Sequence, residues 1–259
     1  MKIVTLVENT TENEALSCEH GLSLYIETDT HKILFDMGQT DLFAENARKL
    51  GIDLAEVDIA VLSHGHYDHG GGLQVFLEVN EKAPIYMHKQ AFEPHYNGKE
   101  KYIGLNVSLM NSKRLIFTED RMELAEGLTL YSCNEHKKTY DLGSFGLNKK
   151  VDNTFLPDDF LHEQYLCIEE NGKKILISGC SHKGILNIVE WFKPDVLIGG
   201  FHFSKLPLDE KLMEYAKYLD TFDTEYYTCH CTGVEQYAFM KKDMRQLEYL
   251  ATGKIMYIE

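Results

Sequence analysis

Basic charge is scarce in this chain: 26 lysines and arginines stand against 41 aspartates and glutamates, for a net charge of −15. Nucleic acids and anionic membranes reward clustered Lys and Arg, so neither is expected as the main partner. No apolar run approaches the roughly 20 residues that a membrane span requires. Cysteines number six, but the pair Cys229 and Cys231 has no second pair at finger spacing, which argues against a structural zinc finger. No secretory signal is expected, because Met1-Lys2-Ile3-Val4 runs straight into a strand pattern. The thiols therefore predict a reducing cytoplasm rather than a disulfide framework. Internal repeats and low-complexity linkers are absent too, and 259 residues suffice for one large α/β domain over 1–259.

Short apolar, β-branched runs at Lys2–Val7, Gly21–Glu27, Lys32–Asp36 and Asp58–Ser63 predict strands. The amphipathic stretch Asp41–Leu50 predicts a helix with Thr40 as N-cap and Gly51 just past its end. A second helix is expected over Gly72–Val79. From about 89 to 120 the pattern is polar and poorly periodic, as for an irregular insertion packed over the core. Strands resume at Leu128–Cys133, Gln164–Glu169 and Lys174–Ser178. Helix Ile185–Phe192, strand Val196–Gly199, helix Leu208–Tyr218, strand Tyr226–Cys229, helix Val234–Met244 and strand Ile255–Ile258 complete the expectation. This order suits two sheets packed on each other and flanked by helices, an αββα sandwich.

What the chain has in abundance is histidine in one place. His64-Gly65-His66-Tyr67-Asp68-His69 sets three imidazoles and a carboxylate within six positions, after an apolar run and before three glycines. Two histidines at i, i+2 in a turn can close on one cation, while Asp68 and His69 fall to the other side and can hold a second. More ligands are needed than one loop supplies. His182, His202 and His230 each follow a predicted strand, where a side chain is well aimed at a cleft. Asp36 closes its strand and is placed to orient a ligand histidine. Cys180 either flanks the metals or is a buried inert thiol. Thr232 is read as the cap of the helix after His230. The remaining histidines, His20, His31, His88, His95, His136 and His162, lack sequence partners and are read as surface residues or residues behind the ligands.

Together, Asp36, the His64-x-His66-x-Asp68-His69 cluster with Gly70-Gly71-Gly72-Leu73, and the late His230 resemble the metallo-β-lactamase superfamily. Ser178-Gly179-Cys180-Ser181-His182, Gly199-Gly200-Phe201-His202 and His230-Cys231-Thr232-Gly233 resemble its branch named for the archaeal dihydropterin-ribofuranosylaminobenzene 5′-phosphate synthase. The resemblance implies an αββα sandwich of two mixed sheets and two divalent metal ions, zinc before manganese or iron. It assigns His64 and His66 to the first metal and Asp68, His69 and His230 to the second, with Asp36 behind them. A Gly-His motif is missing from 141–166 and the usual bridging aspartate slot reads Gly179-Cys180, so His182 is expected to complete the first set.

Two such metals would lower the pKa of a held water toward about 7. The expected function is hydrolysis of an ester, a lactone or a phosphate-containing small molecule. Asp68 would move the proton and His202 would hold an oxyanion or substrate phosphate. Two other readings stay open: a transferase of the synthase type that forms a C–N bond by displacing a phosphate leaving group, and a metal-containing binding or sensory protein without turnover.

Overall fold

The structure is a computed structural model that describes residues 1–259. One seven-stranded sheet runs Ile255–Tyr257, Lys2–Val7, Ser23–Glu27, Lys32–Phe35, Ile59–Val61, Ile85–His88, Leu115–Thr118. A second runs Leu247–Tyr249, Glu225–Thr228, Val196–Gly199, Lys173–Ile177, Tyr165–Glu170, Leu128–Tyr131, Arg121–Ala125. Both sheets are mixed. Lys32–Phe35 through Leu115–Thr118 pair in parallel, as do Lys173–Ile177 through Leu247–Tyr249, while the remaining neighbours are antiparallel.

The central strands read as continuous apolar runs because both of their faces are covered. Side chains alternate across a strand, so Ile33, Phe35, Ile59 and Val61 meet Ile175, Ile177, Val196 and Ile198 between the sheets. The intervening Leu34, Ala60 and Leu62 face outward onto Phe43 and Phe76 of helices Leu42–Lys49 and Leu73–Val79. Leu176 and Leu197 do the same on the far side, against helices Ile185–Phe192, Glu210–Leu219 and Val234–Met240. The αββα sandwich of two mixed sheets is thus the observed architecture. None of its helices is long and apolar enough to cross a membrane.

Most boundaries move by one or two residues, and the helix expected over Val234–Met244 ends four residues early, at Met240. Helix Glu210–Leu219 starts later than its apolar pattern because Asp209 accepts from the backbone N–H groups of Lys211 and Leu212 and so sets the N-terminus. Helix Val234–Met240 has no side-chain N-cap bond. Thr232, expected to supply it, instead accepts from the Phe201 N–H at 2.8 Å and meets Thr228 Oγ1 at 2.5 Å, tying two strand ends together.

Within 89–120, Leu115–Thr118 is the edge strand of the first sheet. His95–Asn97 and Lys101–Tyr102 enter a separate four-stranded sheet with Leu147–Val151 and Thr154–Pro157. That small sheet draws on two distant stretches of polar sequence, so no single window carries its signal.

Candidate metal centre

The carboxyl ends of the parallel strands from both sheets gather at one edge of the sandwich. Asp36 follows Lys32–Phe35, His64 follows Ile59–Val61, His182 follows Lys173–Ile177, His202 follows Val196–Gly199 and His230 follows Glu225–Thr228. The chain turns sharply there. Asp36, Ser181, His202 and His230 have φ of 58°, 58°, 57° and 47°, a left-handed conformation that costs roughly 1–2 kcal/mol per non-glycine residue and persists where the surroundings hold it. Gly65 is required for another reason: a Cβ at that position would run into the Ala91 carbonyl.

All six histidine and aspartate ligands expected from the sequence converge at this edge. His64 Nε2 lies 3.3 Å from His182 Nε2, and His66 joins them in one group. His69 Nε2 lies 3.2 Å from His230 Nε2, and His230 Nε2 lies 3.4 Å from Asp68 Oδ2. The groups adjoin, with His64 and His69 ring centroids 4.1 Å apart. Cys180 sits between them, 3% exposed, its Sγ 3.2 Å from His69 Nε2. Burial pushes its thiol well above the ordinary range.

With the Nδ1 atoms of His69, His64 and His230 set against oxygens of Asp36, Ser63 and Asn9, the Nε2 atoms of these rings are the ones turned toward one another. Four ligands about 2.05 Å from a zinc ion stand about 3.3 Å apart along the edges of a tetrahedron, and these Nε2 pairs have that spacing. His66 Nε2 and His182 Nδ1 are buried without a hydrogen-bond partner. Burial, foremost, holds His64, His66 and His182 well below the usual imidazole range, which keeps their lone pairs free for a cation at neutral pH. The donor set therefore suits borderline divalent cations.

Behind the donors stands a layer that orients them. Asp36 Oδ2 lies 2.7 Å from His69 Nδ1 and accepts from Ser63 Oγ at 2.7 Å, while Oδ1 accepts from the Ser63 N–H at 2.7 Å. Ser63 Oγ in turn lies 2.8 Å from His64 Nδ1. One buried carboxylate thus reaches a ligand of each group, the role expected of Asp36. Burial lowers the pKa of His69, but the charge and hydrogen bond of Asp36 together with the charges of Asp68 and Glu163 outweigh it and leave the net shift upward. Asn9 Oδ1 lies 2.8 Å from His230 Nδ1, and Glu8 Oε1 accepts from the His230 N–H at 2.7 Å.

Glu163 does the same for His182. It accepts from the His182 N–H at 2.6 Å, the Lys183 N–H at 3.0 Å and the Tyr165 hydroxyl at 2.7 Å. Glu163→Ala strands three buried donors, at about 1–3 kcal/mol for each group left unsatisfied. We expect a loss of about 3 kcal/mol in denaturant unfolding. A loss under about 1 kcal/mol would mean that this turn holds itself.

Sequence reading missed Glu8, Asn9, Ser63 and Glu163, which lie far from their partners in the chain or within strand-like runs. It also placed His88, His95 and His162 among partnerless histidines, whereas all three are buried, at 2%, 0% and 1% exposure. His95 and His162 pack within 5.4 and 5.2 Å of the His66 ring. His20 is exposed, yet its Nε2 lies 3.2 Å from Asp68 Oδ2. Nothing in their sequence neighbourhoods signals this, since all depend on chain reversal.

His66, Asp68, His182 and His230 line a cavity of ≈ 390 Å³ together with Cys180. His202 reaches it with its Nδ1 unpartnered and its ring 4.4 Å from His182. Burial lowers its pKa to about 4, so at neutral pH it is an uncharged hydrogen-bond donor. Lys101 and Lys205 stand among the other lining residues.

Comparison with known proteins agrees with this geometry. A 7,8-dihydropterin-6-methyl-4-(beta-D-ribofuranosyl)-aminobenzene-5'-phosphate synthase of Methanocaldococcus jannaschii is 30% identical over 286 residues, spanning 99% of this chain and 96% of that protein. A second M. jannaschii protein, of uncharacterised function, is 30% identical over 98% of this chain and 99% of its own. The crystal structure of a metal-dependent hydrolase of the beta-lactamase superfamily superposes with a TM-score of 0.84 at 29% identity, covering 100% of this chain and 99% of that one. The profile of the metallo-beta-lactamase superfamily matches residues 16–220. With its fold, its histidine loop and full-length relatives in agreement, the chain belongs to the metallo-beta-lactamase superfamily.

Proposed function

We propose that this protein is a dinuclear metal-dependent hydrolase of a small phosphate-containing ester. The observation that carries the reading is that His66, Asp68, His182 and His230, drawn from two adjoining donor groups, line one cavity with Lys101 and Lys205. His64, His66 and His182 would hold one cation, and Asp68, His69 and His230 the other, zinc being the best match to this nitrogen-rich set. Bound there, the two ions would supply Lewis acidity and a water of lowered pKa.

The chain's own residues do the rest. Burial raises the pKa of Asp68, but hydrogen bonds from His20 and His230 outweigh it and hold the carboxyl well below its usual range. Asp68 thus orients the attacking water as an ionised acceptor, and His20, half out in solvent, carries the proton away. His202 donates to the oxygen on which charge develops, as a neutral imidazole aimed into the cavity. Lys101 and Lys205 neutralise the phosphate, which the chain's overall acidity would otherwise repel. A second reading, C–N bond formation with loss of a phosphate leaving group, is supported by the full-length relative named as a synthase. It uses the same lysines and cation groups.

The test is a screen of zinc- and manganese-loaded protein against phosphate esters, uncharged carboxylic esters and lactones. We expect turnover on a phosphate ester. Lys101→Ala combined with Lys205→Ala should raise KM about tenfold, or about 1.4 kcal/mol, with kcat nearly unchanged. His202→Ala should lower kcat about 100-fold, as for loss of an oxyanion donor. Preference for uncharged esters, unaltered in the lysine variant, would overturn the phosphate reading. Silence on every substrate would favour the binding or sensory role.

A further inference from the structure

Behind His66 stands a knot of buried polar side chains that the proposed chemistry does not use. His95 comes from the small four-stranded sheet, Asp158 follows that sheet's Thr154–Pro157 strand, and His162 lies four residues further on. Their exposures are 0%, 5% and 1%. The His95 and His162 ring centroids are 3.9 Å apart, and they stand 5.4 and 5.2 Å from that of His66.

Hydrogen bonds fix where each proton of the knot sits. His162 Nδ1 accepts from the Gly65 N–H at 2.9 Å, so its ring proton is on Nε2, 3.5 Å from Asp158 Oδ1. The same carboxylate accepts from the Phe160 N–H at 2.8 Å, and its Oδ2 lies 2.8 Å from His95 Nδ1. A carboxylate only accepts, so His95 carries its proton on Nδ1 and keeps a lone pair on Nε2. That nitrogen is buried and has no hydrogen-bond partner.

His66 offers the complement. It lines the cavity, and of its two ring nitrogens Nε2 is the one buried without a partner. An imidazole that binds a cation through Nδ1 carries its proton on Nε2, where a neighbouring acceptor sets the orientation of the ring. A buried donor and a buried acceptor are each costly when left apart, and one bond satisfies both. Two imidazoles joined by an N–H···N bond of about 3 Å have ring centres roughly 5 Å apart, close to the 5.4 Å between His66 and His95.

We propose that His95 is the positioning residue of His66: with a cation on His66 Nδ1, the Nε2–H of His66 donates to His95 Nε2. Contacts then run from His66 through His95, Asp158 and His162 back to the Gly65 N–H, closing the His64-Gly65-His66 loop on itself from behind. Through His95, the Asp158 charge makes His66 a stronger ligand. This role rests on the assignment of His66 to a cation in the reading above, and it needs none of the substrate chemistry.

The experiment compares the unaltered protein with His95→Leu and His95→Gln, by zinc titration and by nuclear magnetic resonance with nitrogen-labelled histidine. In the zinc-loaded unaltered chain we expect the His66 Nε2–H to be protected from exchange and to show scalar coupling across the bond to His95 Nε2. His95→Leu should hold one of its zinc ions about 10–100-fold more weakly. Glutamine sets an acceptor oxygen near the place of Nε2, so His95→Gln should recover part of that affinity, which a space-filling role would not do. Circular dichroism of the metal-free proteins checks folding. Unchanged zinc affinity in a folded His95→Leu, or a zinc-loaded His66 without coupling to His95, would overturn the proposal. Failure of the hydrolase reading looks different: zinc binds, the coupling is present and no ester is turned over.

Discussion

Asp36→Ala should destabilise the protein by about 3–5 kcal/mol, the range seen when one partner of a buried charged network is removed. The carboxylate is 0% exposed and bonds with His69 Nδ1, Ser63 Oγ and the Ser63 N–H. Alanine leaves those donors without an acceptor. It also sits poorly at φ 58°, where aspartate and asparagine are better tolerated. Because Asp36 orients His69 directly and His64 through Ser63, metal affinity should fall as well, by about 10–100-fold. Asp36→Asn separates these effects. Asparagine keeps the backbone and one acceptor, so it should recover part of the stability while metal affinity stays low. Calorimetric unfolding and metal titration on both variants check this. Full metal affinity in the alanine variant would sink the assignment.

The metal-free protein should be acid-labile well above the range of ordinary carboxylates. His162 has a pKa lowered to about 4, chiefly by burial, against about 6.5 in an unfolded chain. Between those values the unfolded state binds the proton and the folded state does not, so stability falls as pH falls. At pH 5 this amounts to about 2 kcal/mol for one group, at 1.36 kcal/mol per pH unit. His64, His66 and His182 are shifted in the same direction. Together they take a large part of the 5–15 kcal/mol, roughly, that keeps a domain folded. His69 acts oppositely: its raised pKa contributes stability below pH 6.5 that is lost at higher pH, and one group does not offset four. Asp68 and Asp158, both lowered, lose their contribution only below the unfolded carboxylate range. We expect the melting temperature of the apoprotein to drop steeply between pH 6.5 and 5, and bound zinc to delay that drop, since cations stabilise the neutral imidazoles. A flat melting temperature over that interval would show that the imidazoles are reached by protons without unfolding.

Six positions, His64 to His69, carried most of the functional signal because metal chelation by a turn is a local property, set by side-chain spacing along a few residues. The strand ends at Asp36, His182 and His230 were legible for a related reason: apolar runs end where the chain leaves the core, and a polar residue there faces the cleft. His95, Asp158 and His162 carried no such mark. They lie in stretches whose short strands pair only with each other, and their burial depends on the small sheet folding over the histidine loop. Glu163 and Ser63 were equally silent, because a buried acceptor looks like any polar residue until its donors are known.

The sequence by itself determined the alternation of apolar faces, hence the two-sheet sandwich, and singled out His64, His66, Asp68, His69, His182 and His230, which the fold brings together. Tertiary structure alone decided that Asp36 reaches both groups, that Lys101 and Lys205 line the same cavity, and that three histidines without sequence partners are buried. The physical reason is range. Side-chain periodicity and turn chemistry act over a few residues and can be read along the chain, whereas Nε2 separations of 3.2–3.3 Å between residues 161 and 118 positions apart exist only once both sheets have closed on each other.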